Sequence, residues 1–409
     1  MSFQTGLSGL NASSKNLDVI GNNIANANTV GGKSSRAEFA GVVASAIGPS
    51  GGGGGAGEGI GVQVATVSQE FSQGTINITG NNLDAAINGG GFFELTLKDG
   101  SSAYTRDGQF KLDANGNLVT NSGANVMGYN IVNGVPSSTL TKMVVPSGAP
   151  IAANPTSTIT STFNLDARAP VYNAGTNTPP GTTYGTTLNA FDSQGVAVPV
   201  KLFFVKTATD TWDVYDSDPN QAIVPPASPI GTLGFDTVGN LTSPASPSTL
   251  PMTLTSSNTN IGTFPVKLDL TTVTQYGTSF AISDLTQDGY TAGTLTGVSI
   301  SEQGIITTRY SNGQSQANGQ LALADFRNVQ GLKPVGQNNW VETSTSGQPI
   351  HGHPAQGNFG TINSGSLEAS NVDLTAQLVA LITAQRDYQA NAQTIKTQDT
   401  VLQTLVNLR

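Results

Sequence analysis

Near the start of the chain, apolar and small residues recur in alternating steps of four and three: Phe3, Leu7, Leu10, Ser14, Leu17, Gly21 and Ile24. That spacing keeps one stripe on one side of a helix and predicts a helix of the coiled-coil type. Asn and Gly in the run Asn26-Ala27-Asn28-Thr29-Val30-Gly31-Gly32 supply the stop signal. The same alternation returns at the far end, through Leu374, Leu378, Leu381, Gln385, Tyr388, Ala392, Ile395, Asp399, Leu402 and Val406. It predicts a helix over 371–407, uninterrupted by Gly or Pro and opened by a capping box of Ser370 with Asp373. A helix with a single apolar stripe has nowhere to bury it alone. The two end helices are therefore expected to pack on each other or on copies of themselves. The expected self-assembly interface is Phe3, Leu7, Leu10, Leu17, Ile24, Leu374, Leu378, Leu381, Tyr388, Ile395, Leu402 and Val406.

Between the ends the period changes to two. Gly91-Phe92-Phe93-Glu94-Leu95-Thr96-Leu97 alternates and stops at Lys98-Asp99-Gly100, a hairpin signal. Short strands are predicted over 104–110, 118–119, 198–205, 212–215, 266–270, 298–300 and 305–310, with frequent turn residues between them. That rhythm indicates sandwiches or barrels. The Gly-rich stretch 50–61 reads as a flexible link, 146–155 as a hinge, and 331–360 as an irregular return path. Most prolines fall between about 146 and 293, including the tracts Pro179-Pro180 and Pro225-Pro226.

The fold class is thus mainly β: nested, discontinuous β domains of sandwich or barrel type, with N- and C-terminal α-helices forming a coiled-coil-like polymerisation core. The expected division is 1–70 with 358–409 for the terminal helices and their link. An inner β domain takes 71–145 with 294–357, and an outer inserted β domain takes 146–293.

Composition narrows the chemistry. Of 409 residues, 37% are hydrophobic but only 11% are charged, against ~25% charged in ordinary globular chains. Ser, Thr, Asn, Gln and Gly must cover the surface. A net charge of −9 offers no basic patch for phosphates, so nucleic-acid binding is not expected. No apolar run approaches the ~18 residues of a membrane span, so no membrane insertion is expected. The absence of cysteine removes disulfides, thiolate metal sites and Cys nucleophiles. The first residues carry neither a basic region nor an apolar stretch of signal-peptide length. Any exit from the cytoplasm is expected to need no cleaved signal.

No motif supplies catalytic, metal or cofactor chemistry. The glycines of 52–57 match a dinucleotide pattern without the strand and helix it needs. Gly32-Lys33-Ser34 lacks the first glycine of a phosphate loop. Asp113-Ala114-Asn115-Gly116-Asn117 begins like a calcium loop but has Leu118 and Ala124 where Gly and Glu are required. The acidic residues Asp210, Asp213, Asp216 and Asp218 are expected at a solvated edge or turn rather than in a cation site. His351 and His353, the only histidines, have no Cys and no carboxylate close by in sequence to complete a zinc site. The expectation is a structural or binding protein, not an enzyme, with no cofactor.

Longer segments carry a resemblance. Ser8-Gly9-Leu10-Asn11-Ala12-Ser13-Ser14 and Leu17-Asp18-Val19-Ile20-Gly21-Asn22-Asn23-Ile24-Ala25-Asn26-Ala27-Asn28-Thr29 resemble the N-terminal signature of the flagellar rod and hook axial proteins. Gly89-Gly90-Gly91-Phe92-Phe93, Tyr104-Thr105-Arg106-Asp107-Gly108-Gln109-Phe110 and Leu321-Ala322-Leu323-Ala324-Asp325-Phe326 are similar to that family's inner β domain. Gly365-Ser366-Leu367-Glu368-Ala369-Ser370-Asn371-Val372-Asp373-Leu374 and Gln385-Arg386-Asp387-Tyr388-Gln389-Ala390-Asn391 resemble its C-terminal part. The large central insertion is similar to that of the hook-forming members rather than the distal rod. The alternative is a distal rod or hook-associated axial role. What the resemblance implies is a homopolymer: a helical, curved tube that acts as a universal joint between rod and filament. The implied partners are the distal rod protein, the hook cap, the hook–filament junction protein and the flagellar type III export apparatus. The implied location is the extracellular hook of the flagellum.

Overall fold

The computed structural model describes residues 3–43, 59–132, 134–146, 148, 150–172, 183–216 and 228–407. Outside the described residues lie 50–58 of the expected link, the two proline tracts and Asp218, and so do the side chains of Phe3 and Val406. The chain divides into two compact units. One comprises Met1–Gly148, Gly297–Arg309 and Ser315–Arg409; the other comprises Ala149–Thr296 and Tyr310–Gln314.

The second unit is built on two five-stranded sheets. In one, Ala197–Ala208 lies between Thr183–Phe191 and Thr211–Tyr215, with Gly231–Phe235 and Leu241–Ser243 beyond. In the other, Thr158–Asp166 joins Thr263–Asp269, Thr274–Tyr276 and Ala281–Gln287, and Thr249–Thr255 forms an edge. Strict alternation puts Val198, Val200, Leu202 and Phe204 on one face and Leu250, Met252 and Leu254 on another. Both faces share one core with Ile159, Leu165, Trp212 and Leu268. Trp212 is fully buried, and its indole N–H donates to Gln275 Oε1 at 2.8 Å.

Two acidic residues of this unit hold turns. Asp236 Oδ1 accepts from the backbone N–H groups of Val238 and Asn240, and Asp192 Oδ1 from those of Gln194 and Val196. In the first unit, Asp113 repeats the device with Asn115 and Asn117. Asp210 accepts instead from Gln275 Nε2, and Asp213 from Thr232. Among the described residues no group of acidic or histidine side chains could hold a metal ion.

The first unit carries a 13-stranded sheet that uses chain from both sides of the insertion. Phe92–Thr96 pairs with Ser102–Thr105 and with Leu323–Asp325, and Asn125–Val132 pairs with Ser315–Leu321. The segment expected as an irregular return path instead supplies the strands Lys333–Gly336, Asn339–Val341 and Ile350–Gly352. These are too short, and too rich in Gly, Pro and polar residues, for alternation to show. Phe93, Leu95, Phe110, Leu118, Met143, Ile306 and Ile362 fill one core. Phe92, Tyr104, Phe326 and Trp340 fill a second, with edge-to-face ring contacts.

The terminal segments form α1 (Phe3–Ala25) and α2 (Leu374–Asn407). Between α1 and the inner strands lies an antiparallel ribbon of β1 (Ser35–Val43) and β2 (Gly59–Gln69). The end of the expected link, residues 59–61, is therefore strand. Helix α2 starts with the first residue of its apolar stripe, three residues later than the expected capping box places it. Asp373 caps it, accepting from the N–H groups of Thr375 at 2.8 Å and Ala376 at 3.1 Å. Ser370 Oγ accepts only from Val372 N–H at 3.4 Å, so no capping box forms. Asn371 is held out of the helix because its side-chain amide donates to the carbonyls of Glu70 and Ser72.

Candidate functional site

The candidate site is the one the two ends of the chain make together. Helices α1 and α2 pack antiparallel: Gly6 lies against Ile395, Ser13 against Asn391 and Asn23 against Gln377. A Cβ on Gly6 would stand 3.2 Å from Ile395 Cγ1, and one on Gly9 would stand 2.9 Å from Asn391 Oδ1. Small residues at 6, 9 and 12 let the backbones approach. Polar pairs then fix the alignment: Asn391 Nδ2 donates to Ser13 Oγ at 3.2 Å and Asn23 Nδ2 to Gln377 Oε1 at 3.3 Å.

This contact selects a stripe different from the leucine stripe. The α2 residues turned toward α1 are Gln377, Leu381, Ala384, Asn391 and Ile395. They follow the same alternation displaced by three residues, which is a rotation of about 60°. Leu381 and Ile395 belong to both stripes and are half-buried. Leu378 belongs only to the leucine stripe and stays 50% exposed; Leu374, Tyr388 and Leu402 share the heptad position of Leu381 and Ile395 yet stay 42%, 37% and 53% exposed. Val379, Ile382 and Val401 widen this outward apolar face. On α1, Leu10, Leu17 and Ile24 are half-buried and Leu7 is exposed, whereas Ala12, Val19, Ile20 and Asn23 are buried. Val19 and Ile20 lie off the predicted stripe, and Ala12, Asn23, Ala384 and Asn391 are small or polar, so the spacing of large apolar residues does not reveal them. The signal that finds them is the spacing Gly6, Gly9, Ala12, which marks a close helix contact rather than a bulky one.

The other side of α1 meets the ribbon. Ser8 Oγ accepts from Val62 N–H at 3.2 Å. Asn23 and Ser35 exchange two hydrogen bonds, from Asn23 Nδ2 to Ser35 O at 2.7 Å and from Ser35 N–H to Asn23 Oδ1 at 2.8 Å. Asn23 thereby joins α1, α2 and β1.

Where the helices leave the β body, a buried ionic cluster forms. Lys33 Nζ lies 2.6 Å from Glu368 Oε1, and Arg106 Nη1 lies 3.2 Å from Glu368 Oε2. Lys33 Nζ also donates to Ser72 O, Arg106 Nη2 donates to Gly89 O, and the Gly74 N–H donates to Glu368 Oε1. The guanidinium stands 5.2 Å over the Phe92 ring. Burial holds both Lys33 and Arg106 below their ordinary pKa values, with Glu368 opposing that shift. Gly31 adopts φ +66° here; an added Cβ would lie 2.7 Å from the backbone of Arg106. At another point of this unit, His351 finds the carboxylate its neighbours in sequence lack: its Nδ1 is 2.8 Å from Glu94 Oε2. Burial raises the Glu94 carboxyl above the ordinary range.

Four family models match in succession. They are the flagella basal body rod protein over 3–33, the flagellar hook protein FlgE/F/G D1 domain over 86–161, the flagellar basal body protein FlaE D2 domain over 164–290, and the flagellar basal body rod FlgEFG protein C-terminal over 363–408. The chain is 41% identical to the flagellar hook protein FlgE of Escherichia coli (strain K12), over all of both chains. The chain belongs to the flagellar hook protein family. It is also 34% identical to the hook protein FlgE of Rhizobium meliloti, over all of this chain and 98% of the relative. The solved hook protein FlgE2 of Helicobacter pylori shares the fold, with a TM-score of 0.53 at 15% identity, covering 72% of this chain and all of that one. As a family member the chain is a structural subunit of the flagellar hook. None of its described helices is long and apolar enough to cross a membrane. The matches to 3–33, 86–161 and 363–408 each contribute one member of the ionic cluster: Lys33, Arg106 and Glu368.

Proposed function

We propose that the working form is a curved helical tube of many copies, whose wall is built by the paired end helices. The observation that carries this reading is the apolar face left on α2 after α1 has docked, with Leu374, Leu378, Val379, Ile382, Val401 and Leu402 turned outward. A neighbouring copy that covers it completes the leucine stripe. Threonines along α2 suit a dry contact. Thr383, Thr394, Thr397 and Thr404 donate their hydroxyls to carbonyls one turn back, which leaves their methyl groups outward.

The tube transmits torque from rod to filament as a universal joint. Its expected partners are the distal rod protein, the hook cap and the hook–filament junction protein. The subunit leaves the cell through the flagellar type III apparatus without a cleaved signal. A terminal helical part, an inner β part and an outer inserted β part divide this work among them. The low charge of the outer strands supports sliding contacts, because neutral side chains exchange hydrogen-bond partners with little desolvation cost. Electron microscopy of the purified chain under assembly conditions tests the reading. Tubes of regular diameter are expected; compact single particles at every concentration overturn it.

A further inference from the structure

The Lys33–Glu368–Arg106 cluster is an expensive way to hold a core together. Its side chains are 1%, 0% and 6% exposed, and it brings two cations to one carboxylate. Removing three charges from water costs several kcal/mol per ion, and well-packed apolar residues in such places are often as stable or more so. Apolar residues cannot supply direction. Glu368 accepts from Lys33, Arg106 and the Gly74 N–H, so its orientation is set from three segments. Its own backbone carbonyl accepts from Gly31 N–H at 2.8 Å. Lys33 follows α1, Glu368 precedes α2, and Arg106 belongs to the inner β body. A single carboxylate therefore ties the exit of one helix and the entrance of the other to the same strand layer.

We infer that Glu368 is a positioning residue, which with Lys33 and Arg106 sets the register of the α1–α2 pair on the inner β body and, through it, the register of subunits in the polymer. The second half of this inference rests on the tube reading above. The pairs Asn371 with Glu70 and Asn338 with Val30 brace the same junction from its rim. Asn371 reaches Ser34, Glu70 and Ser72, whereas the carboxylate also reaches Arg106 of the inner β body.

Two variants test this. Glu368→Gln keeps the size and removes the charge that the two cations share. Amide hydrogen exchange of the purified chain should rise about tenfold or more at 26–35, 70–75 and 366–376, with the strands 92–96 and 102–105 unchanged. Uniform loss of protection across the first unit overturns the inference, because the cluster would then hold the body rather than the junction. The triple variant Lys33→Met, Arg106→Met, Glu368→Leu should keep cooperative melting near that of the parent yet form tubes with blurred helical order, or none. Tubes with the parent's helical order overturn the inference, as does a triple variant that melts without cooperativity. Failure of the unsubstituted chain to form tubes strikes the tube reading alone; the exchange result still decides the register role within the subunit.

Discussion

Replacing Leu378 by Asp separates the stability of the subunit from the stability of its polymer. Leu378 sits on α2 with half its surface still exposed after α1 has docked. Full burial of a leucine is worth about 1.5–3 kcal/mol, so covering the remaining half in a neighbour contact supplies about 0.7–1.5 kcal/mol. An aspartate forfeits that gain and brings an unpaired carboxylate into the contact, at a cost of several kcal/mol. The sum is about 3–5 kcal/mol per contact, or about two to four decades in the concentration needed for assembly. In the isolated subunit the site is surface, and the change should stay within about 0.5 kcal/mol. The assay pairs thermal melting of the dilute protein with sedimentation of polymer over a concentration series. Ala384→Asp is the contrast: Ala384 is 2% exposed and faces α1, so this variant should lower the melting temperature as well. If Leu378→Asp polymerises at the parent's concentration, the outward face is not the contact.

Three further outcomes follow from the geometry. Burial, reinforced by Glu342, raises the Glu94 carboxyl, and His351 opposes the shift. A raised folded-state pKa gives stability that is present below the ordinary value of about 4.5 and is lost as pH rises through the folded-state value. Glu94→Gln should therefore lose less melting temperature than the parent between about pH 4 and 8, and parallel curves would refute the assignment. Trp212→Ala should cost about 3–5 kcal/mol in denaturant unfolding, read from the second unit's amides by exchange, because it opens a cavity and frees the Gln275 amide. Gly31→Ala must adopt φ +66° and press on the Arg106 backbone. It should lose about 1 kcal/mol or more, seen as faster exchange around Lys33, while the second unit stays unchanged.

Two end helices and β-rich chain between them were legible in the sequence, because each depends on local pattern. Period 3.5 at the ends, period 2 in 197–208 and 249–255, and Asp-x-Asn or Asp-x-x-Gly turns act over a few residues, and tertiary packing did not override them. The face of α2 that meets α1 was not legible. Two stripes with the same alternation, three residues apart, are equivalent in sequence. The choice between them was made by Gly6, Gly9 and Ala12 on a helix some 370 residues away in the chain, which admit Ala384 and Asn391 more closely than leucines. The short strands of 333–352 escaped notice because each is only three or four residues long, and Asn339–Val341 joins the sheet through Ser102–Thr105, more than two hundred residues earlier.

Sequence by itself therefore determined what kind of molecule this is: a low-charge, mainly β subunit with two sticky helical ends. Only the tertiary structure decided which apolar residues of the end helices are covered inside the chain and which stay exposed. It also decided that Lys33, Arg106 and Glu368, far apart in the chain and unremarkable singly, share one buried site. The physical reason is range. Periodicity and turn chemistry act through the local backbone, whereas burial, charge pairing and close helix approach depend on which distant surfaces meet.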